Sequence, residues 1–193
     1  MRIFGVILAG GESRRMGADK ALVPLAGRPM IEWVAERFAP QVEVLSLSAN
    51  GDSARFAFLG LPVLPDDARK GPLSGILSGL RWAAPLGATA LVSVPCDGPF
   101  LPPDLVPRLC LAAEGGLPAM ATSDGDLHPT CAIWPISLIP ALTAFLASDA
   151  VPRLRDFANP HGAQQAAFPP GSFSNANTPE DLSRLQARLA AAG

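Results

Sequence analysis

The 193-residue chain has few of the residues that build several common kinds of protein. It has only three cysteines, Cys96, Cys110 and Cys131, which are widely spaced and form no CxxC pair. This spacing argues against a disulfide framework and against a cysteine zinc site. Reduced thiols are typical of cytoplasmic proteins, so we expect a cytoplasmic location.

Long apolar stretches and runs of one charge are also missing. No segment of about 18 apolar residues is free of charges or of repeated proline and glycine, so we expect no membrane span. The net charge is −2, and no long run of basic residues occurs. A general nucleic-acid binder needs a basic face, so this class is disfavoured. Apolar residues make up 49% of the chain, so residues 1–193 can bury the core of a single domain.

Lysine is rare in this sequence. The chain has thirteen arginines but only two lysines, Lys20 and Lys70. Lysine is a compact and mobile point charge, whereas arginine is a planar fork. The bias therefore suggests that these two positions need an ammonium group.

Short apolar segments alternate with helical patterns along the chain. Residues 3–8 form an apolar run that ends in glycines, which is typical of a parallel strand buried on both faces. Further strands are predicted at residues 42–48, 61–64, 88–94, 119–123, 131–134 and 165–168. Helices are predicted at residues 30–38, 72–82, 103–113, 137–147 and 178–191. Residues 128–130 are expected in a loop.

This alternation predicts an α/β fold. Strands separated by helices imply βαβ units, and hence a three-layer α/β/α arrangement with a mostly parallel, Rossmann-like central sheet. Ligands bind such sheets beyond the carboxyl ends of the strands. Functional residues should therefore follow the predicted strands directly.

A glycine- and arginine-rich loop, LAGGESRRMGADK, follows the first predicted strand. Gly10 and Gly11 allow the backbone to approach a ligand closely and to present N–H groups to anionic oxygens. Arg14, Arg15 and Lys20 add three cations, and together these groups suit a triphosphate. The loop is neither a Walker A nor a GxGxxG motif. The alternative is a plain glycine turn with solvated arginines.

Two acidic positions also follow predicted strands. Asp97 comes after the strand at 88–94 and is a candidate Mg²⁺ ligand, because Mg²⁺ commonly takes one or two carboxylates plus phosphate oxygens. The alternative is that Asp97 caps a turn. Asp66 begins a charged segment that ends in GPLSG at 71–75, where a helix could start tightly against a ligand. The alternative for this segment is a charged surface loop.

Two asparagines form the last candidate site. Asn175 and Asn177 alternate, so in an extended segment their side chains share a face. Two amides on one face could bind a heteroaromatic edge or a phosphate. The alternative is helix capping before Pro179, with Thr178 as a plausible N-cap.

Together these motifs resemble the molybdenum cofactor guanylyltransferase family, within the nucleotide-diphospho-sugar-transferase-like superfamily. LAGGxSRRMGxDK at 8–20 is the strongest part of the resemblance. The motifs that follow in the expected order are GPLSG at 71–75, PCDGPFLPPDL at 95–105, HPT at 128–130 and NANTPEDL at 175–182.

The resemblance implies a role for each site residue. The implied nucleotide-binding residues are Leu8, Ala9, Gly10, Gly11, Lys20, Asn50, Asp66 and Asp97. The implied catalytic residues are Arg15, Lys20 and Asp97, with Asp97 binding Mg²⁺, and Asn175 and Asn177 would face the pterin substrate. The short spacing from Asp66 to Gly71 leaves open whether Asp66 or Asp67 lines the nucleoside pocket.

The implied reaction transfers GMP from GTP to the terminal phosphate of molybdopterin or molybdenum-molybdopterin and releases pyrophosphate. Gly10 favours guanine, because cytidylyl-transferring relatives tend to have LAAG where this chain has LAGG. Alternatives are a sugar or polyol phosphate acceptor, CTP as the donor in a molybdopterin cytidylyltransferase, or a non-catalytic nucleotide-binding module. Cofactor insertion proteins and acceptor enzymes are candidate protein partners.

Overall fold

The computed structural model of the chain describes residues 1–10, 19–66, 70–148 and 153–191. The strands within these ranges are β1 (Ile3–Leu8), β2 (Pro24–Leu25), β3 (Arg28–Pro29), β4 (Val44–Ser48), β5 (Val63–Leu64), β6 (Ala90–Pro95), β7 (Ala119–Ser123), β8 (Asp126–Pro135) and β9 (Gln164–Ala167). The α-helices are α1 (Met30–Phe38), α2 (Pro72–Ala83), α3 (Leu105–Ala112), α4 (Ile139–Ala147), α5 (Leu154–Ala158) and α6 (Pro179–Ala190).

Seven strands form the central sheet in the order β5-β4-β1-β6-β8-β7-β9. The pairs β5–β4, β4–β1, β1–β6 and β7–β9 are parallel, whereas β8 is antiparallel to both β6 and β7. The chain leaves β1 toward β4 and later returns to its other side as β6. The carboxyl ends of these strands are level, because Leu8 pairs with both Ser48 and Pro95. This reversal point is where open α/β sheets bind ligands.

Helices cover both faces of the sheet. In β1, Ile3 and Ile7 belong to the buried cluster that contains residues of α1 and α3. Phe4 and Val6 belong to the cluster that contains residues of α2, α4 and α5. Burial on both faces explains why β1 is a continuous apolar run. The predicted three-layer α/β/α arrangement with a mostly parallel sheet is confirmed.

Most predicted elements occur at or near their expected bounds. The strand at 3–8 and the helix at 30–38 coincide with β1 and α1. The expectation that residues 128–130 form a loop is wrong, because they lie inside β8. Ala121 of β7 pairs with His128 and Met120 pairs with Ala132, so residues 129–131 form a bulge. A bulge accommodates Pro129, which has no N–H to donate. Because proline is rare within strands, its presence made residues 128–130 look like a loop in the sequence.

A short hairpin and a short helix were not predicted. β2 and β3 form a separate hairpin, whose turn places Ala26 and Gly27 at positive φ, 50° and 80°. The helix α5 begins just after Arg153 and packs Phe157 into the core. No helix among the described residues is long and apolar enough to cross a membrane.

Candidate active site

A cavity of about 310 Å³ lies at the carboxyl ends of β1, β4 and β6. Its volume is at the lower end of the range typical of small-molecule sites. Seven residues named from the sequence line it, namely Leu8, Ala9, Gly10, Lys20, Asp66, Asp97 and Asn175. Gly11 and Arg15 lie outside the described residues. The cavity therefore brings together motifs that are far apart in the sequence.

Lys20 connects three of these motifs. It begins a short 3-10 turn, Lys20–Leu22, which is capped by Asp19 because its Oδ1 accepts a hydrogen bond from Ala21 N at 3.1 Å. The Lys20 Nζ donates to Asp97 Oδ2 at 3.1 Å and to Asn177 Oδ1 at 2.8 Å. An ammonium with three donors can serve two such acceptors and still donate to a third. Lys20 therefore lies where the glycine-rich loop, the end of β6 and the asparagine segment meet.

Backbone hydrogen bonds on both sides of Asp97 hold this residue in place. Cys96, next to it, donates its N–H to Leu8 O at 3.2 Å, which continues the pairing of β6 with β1. On the other side, Ala176 N donates to Asp97 O at 3.0 Å and attaches the C-terminal segment. These bonds fix the carboxylate at the cavity wall.

The donor set at Asp97 fits Mg²⁺ only in company with a nucleotide. The described residues contain no group of three or more His, Cys, Asp or Glu side chains that could hold a metal ion. Mg²⁺ is commonly bound through one or two carboxylates with phosphate oxygens and water completing its shell. One carboxylate beside a cavity of this size meets that pattern if a triphosphate supplies the remaining oxygens.

Asp66 lines the cavity, and Asn50 supports Asp66 without lining the cavity itself. The Asn50 Oδ1 accepts a hydrogen bond from Asp66 N at 3.0 Å, and Asp66 is buried. A Cβ added at Gly10 would lie 3.6 Å from Asp66 Oδ2 and 3.7 Å from Asn50 Nδ2, which is ordinary van der Waals contact. A methyl group at Gly10 would therefore fit, but it would take up space beside these two polar groups. The alternative carboxylate, Asp67, lies outside the described residues.

The asparagine segment approaches the cavity with two side chains. Ala176 is buried between Asn175, which lines the cavity, and Asn177, which accepts from Lys20. Thr178 caps α6, because its Oγ1 accepts from Asp181 N at 3.1 Å while Asp181 Oδ2 accepts from Thr178 N at 3.0 Å. The predicted N-cap is confirmed, and this capping box uses neither asparagine side chain.

The first turn of α2 closes one side of the cavity. Gly71 and Pro72 line it, and Gly71 has a φ of 71°, a backbone conformation that favours glycine. Gly75 allows α2 to approach β4 closely, because a Cβ there would lie 2.6 Å from Ser48 Oγ. The GPLSG motif thus packs a helix against the ligand-binding end of the sheet.

The second lysine has a different role from the first. The Lys70 Nζ donates to Leu146 O at 2.8 Å and to Ser148 O at 3.0 Å, at the C-terminal end of α4. A cation is favourable there because the last carbonyls of a helix carry partial negative charge. Lys70 therefore fastens α4 to the segment before α2.

Histidine and cysteine near the cavity show the properties of packed side chains. His128 Nε2 lies 3.0 Å from Ser123 Oγ, its ring stacks on Phe173 at 4.4 Å, and burial lowers its pKa. Cys96 lines the cavity, but desolvation raises the pKa of its thiol, which therefore stays protonated. Neither observation points to a covalent nucleophile.

Three further residues at the site were not singled out from the sequence. Asp19 and Thr130 line the cavity. Arg55 donates hydrogen bonds to the Asp19 carboxylate and to the backbone carbonyl of Asn50. Asp19 belongs to the glycine-rich motif, and Thr130 belongs to HPT, so motif membership was the available signal for both. Arg55 lies in the 3-10 segment Ser53–Leu59, where no pattern distinguishes it from the other arginines.

Comparison with known proteins identifies one domain family and similar proteins that cover nearly the whole chain. The MobA-like NTP transferase domain family matches residues 5–165. A molybdenum cofactor guanylyltransferase from Cereibacter sphaeroides is 56% identical over 191 residues, which cover 98% of each chain.

Solved structures share the fold. Molybdopterin-guanine dinucleotide biosynthesis protein A from Archaeoglobus fulgidus aligns with a TM-score of 0.77 and 22% identity, covering 97% of this chain and 99% of that one. A Mycobacterium tuberculosis H37Rv protein solved in complex with manganese aligns with a TM-score of 0.74 and 19% identity, covering 97% and 99%.

Proposed function

The chain belongs to the molybdenum cofactor guanylyltransferase family of MobA-like NTP transferases, and from this premise we propose that its cavity transfers GMP from GTP to the terminal phosphate of molybdopterin, with or without molybdenum. The observation that carries the proposal is the pair of hydrogen bonds from Lys20 Nζ to Asp97 and Asn177. They place one ammonium between the proposed metal ligand and the proposed acceptor segment.

The nucleoside would bind between β1 and the Asn50–Asp66 wall. The backbone of Leu8, Ala9 and Gly10 would frame guanine and ribose at one side, with Asn50 and Asp66 at the other. The missing side chain of Gly10 leaves room for the larger purine beside these polar groups.

The triphosphate would bind where the positive charges lie. Lys20 would donate to phosphate oxygens, and Arg15 and Gly11 are proposed to assist from the glycine-rich loop. Asp97 and the triphosphate would together hold Mg²⁺, which neutralises charge on the phosphates when bound. The Mycobacterium tuberculosis protein, which has the same fold, was solved in complex with manganese, and this is consistent with use of a divalent cation.

In the proposed reaction a terminal phosphate oxygen of the acceptor attacks the α-phosphorus of GTP. The new P–O bond forms as the bond to the β-phosphate oxygen breaks, and pyrophosphate leaves with that electron pair. A phosphate acceptor is already ionised near neutral pH, so no general base has to remove a proton. Positioning and charge neutralisation then supply the catalysis, and Asn175 and Asn177 would position the pterin.

A panel of donors tests this proposal. The protein would be incubated with Mg²⁺, purified molybdopterin and GTP, CTP, ATP or UTP, and pyrophosphate would be measured. We expect release with GTP and formation of the guanine dinucleotide. Release only with CTP would favour a cytidylyltransferase, and release only with sugar or polyol phosphates would favour another acceptor. GTP binding without turnover of any acceptor would favour a non-catalytic module.

We also propose that residues 1–193 work as one nucleotidyltransferase domain in the cytoplasm. Lys20 and Asn177, which lie in distant parts of the sequence, share one hydrogen bond, and this supports a single unit. All three cysteines are free thiols, which supports a reducing compartment. Contacts with cofactor insertion proteins or acceptor enzymes stay a prediction.

A further inference from the structure

The guanidinium of Arg55 connects two segments that border the cavity. Its Nη2 donates to Asn50 O at 2.7 Å and its Nη1 donates to Asp52 O at 2.6 Å, both in the segment that follows β4. Its Nε donates to Asp19 Oδ2 at 3.0 Å, in the segment that carries Lys20. A single planar fork therefore joins the segment next to Asp66, the proposed nucleoside wall, to the segment of Asp19 and Lys20, the proposed phosphate wall.

Each end of this connection leads to a residue of the proposed GTP site. At one end, Asn50 holds the backbone of Asp66 through its side-chain oxygen. At the other end, Asp19 caps the turn that begins at Lys20. A shift of Arg55 would consequently change the distance between Lys20 and the Asn50–Asp66 wall.

Charge gives Arg55 a second effect on the cavity. The Asp19 carboxylate lines the cavity, where it would repel the phosphates of GTP. The ion pair with Arg55 offsets that charge, at a Nε–Oδ2 distance of 3.0 Å. Removing the guanidinium would therefore leave a negative group beside the proposed triphosphate site.

The surroundings of Arg55 restrict its movement. The guanidinium lies over the buried ring of Phe56, 4.5 Å from its centroid. Gly51, at a φ of 80°, makes room for it, since a Cβ there would lie 3.3 Å from Arg55 Nη1. Lysine could keep the positive charge at this position, but it has no fork to donate in three fixed directions.

We propose that Arg55 is a positioning residue for GTP, which sets the separation of the nucleoside and phosphate walls without touching the reacting atoms. The inference rests on the proposed function, because it assumes that GTP occupies this cavity. It predicts an effect on GTP affinity and base preference rather than on the chemical step.

Arg55→Lys and Arg2→Lys form a matched pair for the test. Arg2 also binds one carboxylate, Glu43, and one backbone carbonyl, Leu86 O, and it lies over Phe4, but at the opposite end of the sheet. GTP affinity would be measured by calorimetry with Mg²⁺ and without acceptor, alongside the melting temperature. We expect Arg55→Lys to weaken GTP binding roughly tenfold or more, and Arg2→Lys to leave it unchanged.

Steady-state kinetics distinguish a positioning role from a merely structural one, because a loss of folded protein does not change the KM for GTP. We expect Arg55→Lys to raise the KM for GTP and narrow the preference for GTP over CTP, with kcat changed by less than about threefold. Loss of folded protein would instead lower the apparent kcat and leave KM unchanged. Wild-type GTP affinity in Arg55→Lys would overturn the inference.

Asp19→Asn provides a second route if Arg55→Lys does not fold. The asparagine Oδ1 can still cap Ala21 N, whereas its Nδ2 would face Arg55 in place of a carboxylate oxygen. Removal of this negative charge favours GTP and CTP alike, so it cancels in the preference between them. We expect Asp19→Asn to narrow the preference for GTP over CTP, as Arg55→Lys does, and the double variant to narrow it by less than the product of the two single effects. An unchanged preference in Asp19→Asn would contradict the inference, whereas absence of GTP binding by the wild-type protein would contradict the proposed function itself.

Discussion

The two ends of the central sheet each hold a cation beside a carboxylate, yet the two pairs have different surroundings. At the amino end, Arg2 Nε lies 2.9 Å from Glu43 Oε2, with side chains 51% and 45% exposed. At the carboxyl end, Lys20 Nζ lies 3.1 Å from Asp97 Oδ2, with side chains 18% and 15% exposed. The distances are nearly the same, so distance alone does not distinguish a functional pair from a surface pair.

The two ion pairs differ in their exposure to water and in the other residues that contact them. Exposed ion pairs contribute little because water and salt screen them. The Lys20–Asp97 pair is shielded, lines a cavity and is joined by Asn177. Charges in such a setting interact strongly with a charged ligand, since less water intervenes. The comparison therefore predicts that the same deletion has different consequences at the two ends.

Removing the cation at the carboxyl end should have the largest effect. We expect Lys20→Met to lower kcat/KM for pyrophosphate release by roughly 10²–10³-fold, because it removes a donor to the charged phosphates. Asp97→Asn should have an effect of similar size, through loss of the proposed Mg²⁺ ligand. Circular dichroism would verify that both variants are folded. Turnover within threefold of wild type would remove the assigned roles.

Gly10→Ala should have an intermediate effect, which is on the preference for GTP over CTP. The new methyl would lie in ordinary contact with Asp66 and Asn50, so the fold should be retained. We expect the ratio of kcat/KM for GTP over CTP to fall about tenfold, because small steric changes in a pocket are worth roughly 1–3 kcal/mol. Both nucleotides are measured on one protein preparation, which makes the ratio its own control. An unchanged ratio would mean that guanine is selected elsewhere.

Removing the cation at the amino end should have the smallest effect. We expect Arg2→Met to cost about 1 kcal/mol or less and to lower the melting temperature by no more than about 4 °C. Its kcat/KM for GTP should equal that of the wild type, since Arg2 lies at the far end of β1 from the cavity. A loss of activity comparable to that of Lys20→Met would end the distinction between the two ends.

Much of the fold could be predicted because it depends on local patterns. β1 is a continuous apolar run, and α1 has apolar residues at helical spacing, so both appeared with the observed bounds. The loop expected at 128–130 was wrong because a bulge obscures the alternation that identifies a strand. That the 193 residues form one domain stays a prediction.

The site was predictable only where motifs mark it. The glycine-rich loop and Asp97 follow strand ends, and the asparagine pair precedes α6. The structure brings Gly10, Lys20, Asp97 and Asn175 to one cavity. Arg55 carries no such mark, because its importance arises from three acceptors that meet only after folding. The roles of Gly11 and Arg15 lie outside the described residues and stay predictions.

The hydrogen bond from Lys20 to Asn177 joins residues that are 157 positions apart. Chains emerge from the ribosome amino end first, at about 5–20 residues per second, so Asn177 appears many seconds after Lys20. During that interval the residues of β1 and β6 are already present, but the asparagine segment has not yet been synthesised. A chain that stops before Asn177 lacks this hydrogen-bond acceptor for Lys20. The Lys20–Asn177 contact can therefore form only long after Lys20 has been synthesised.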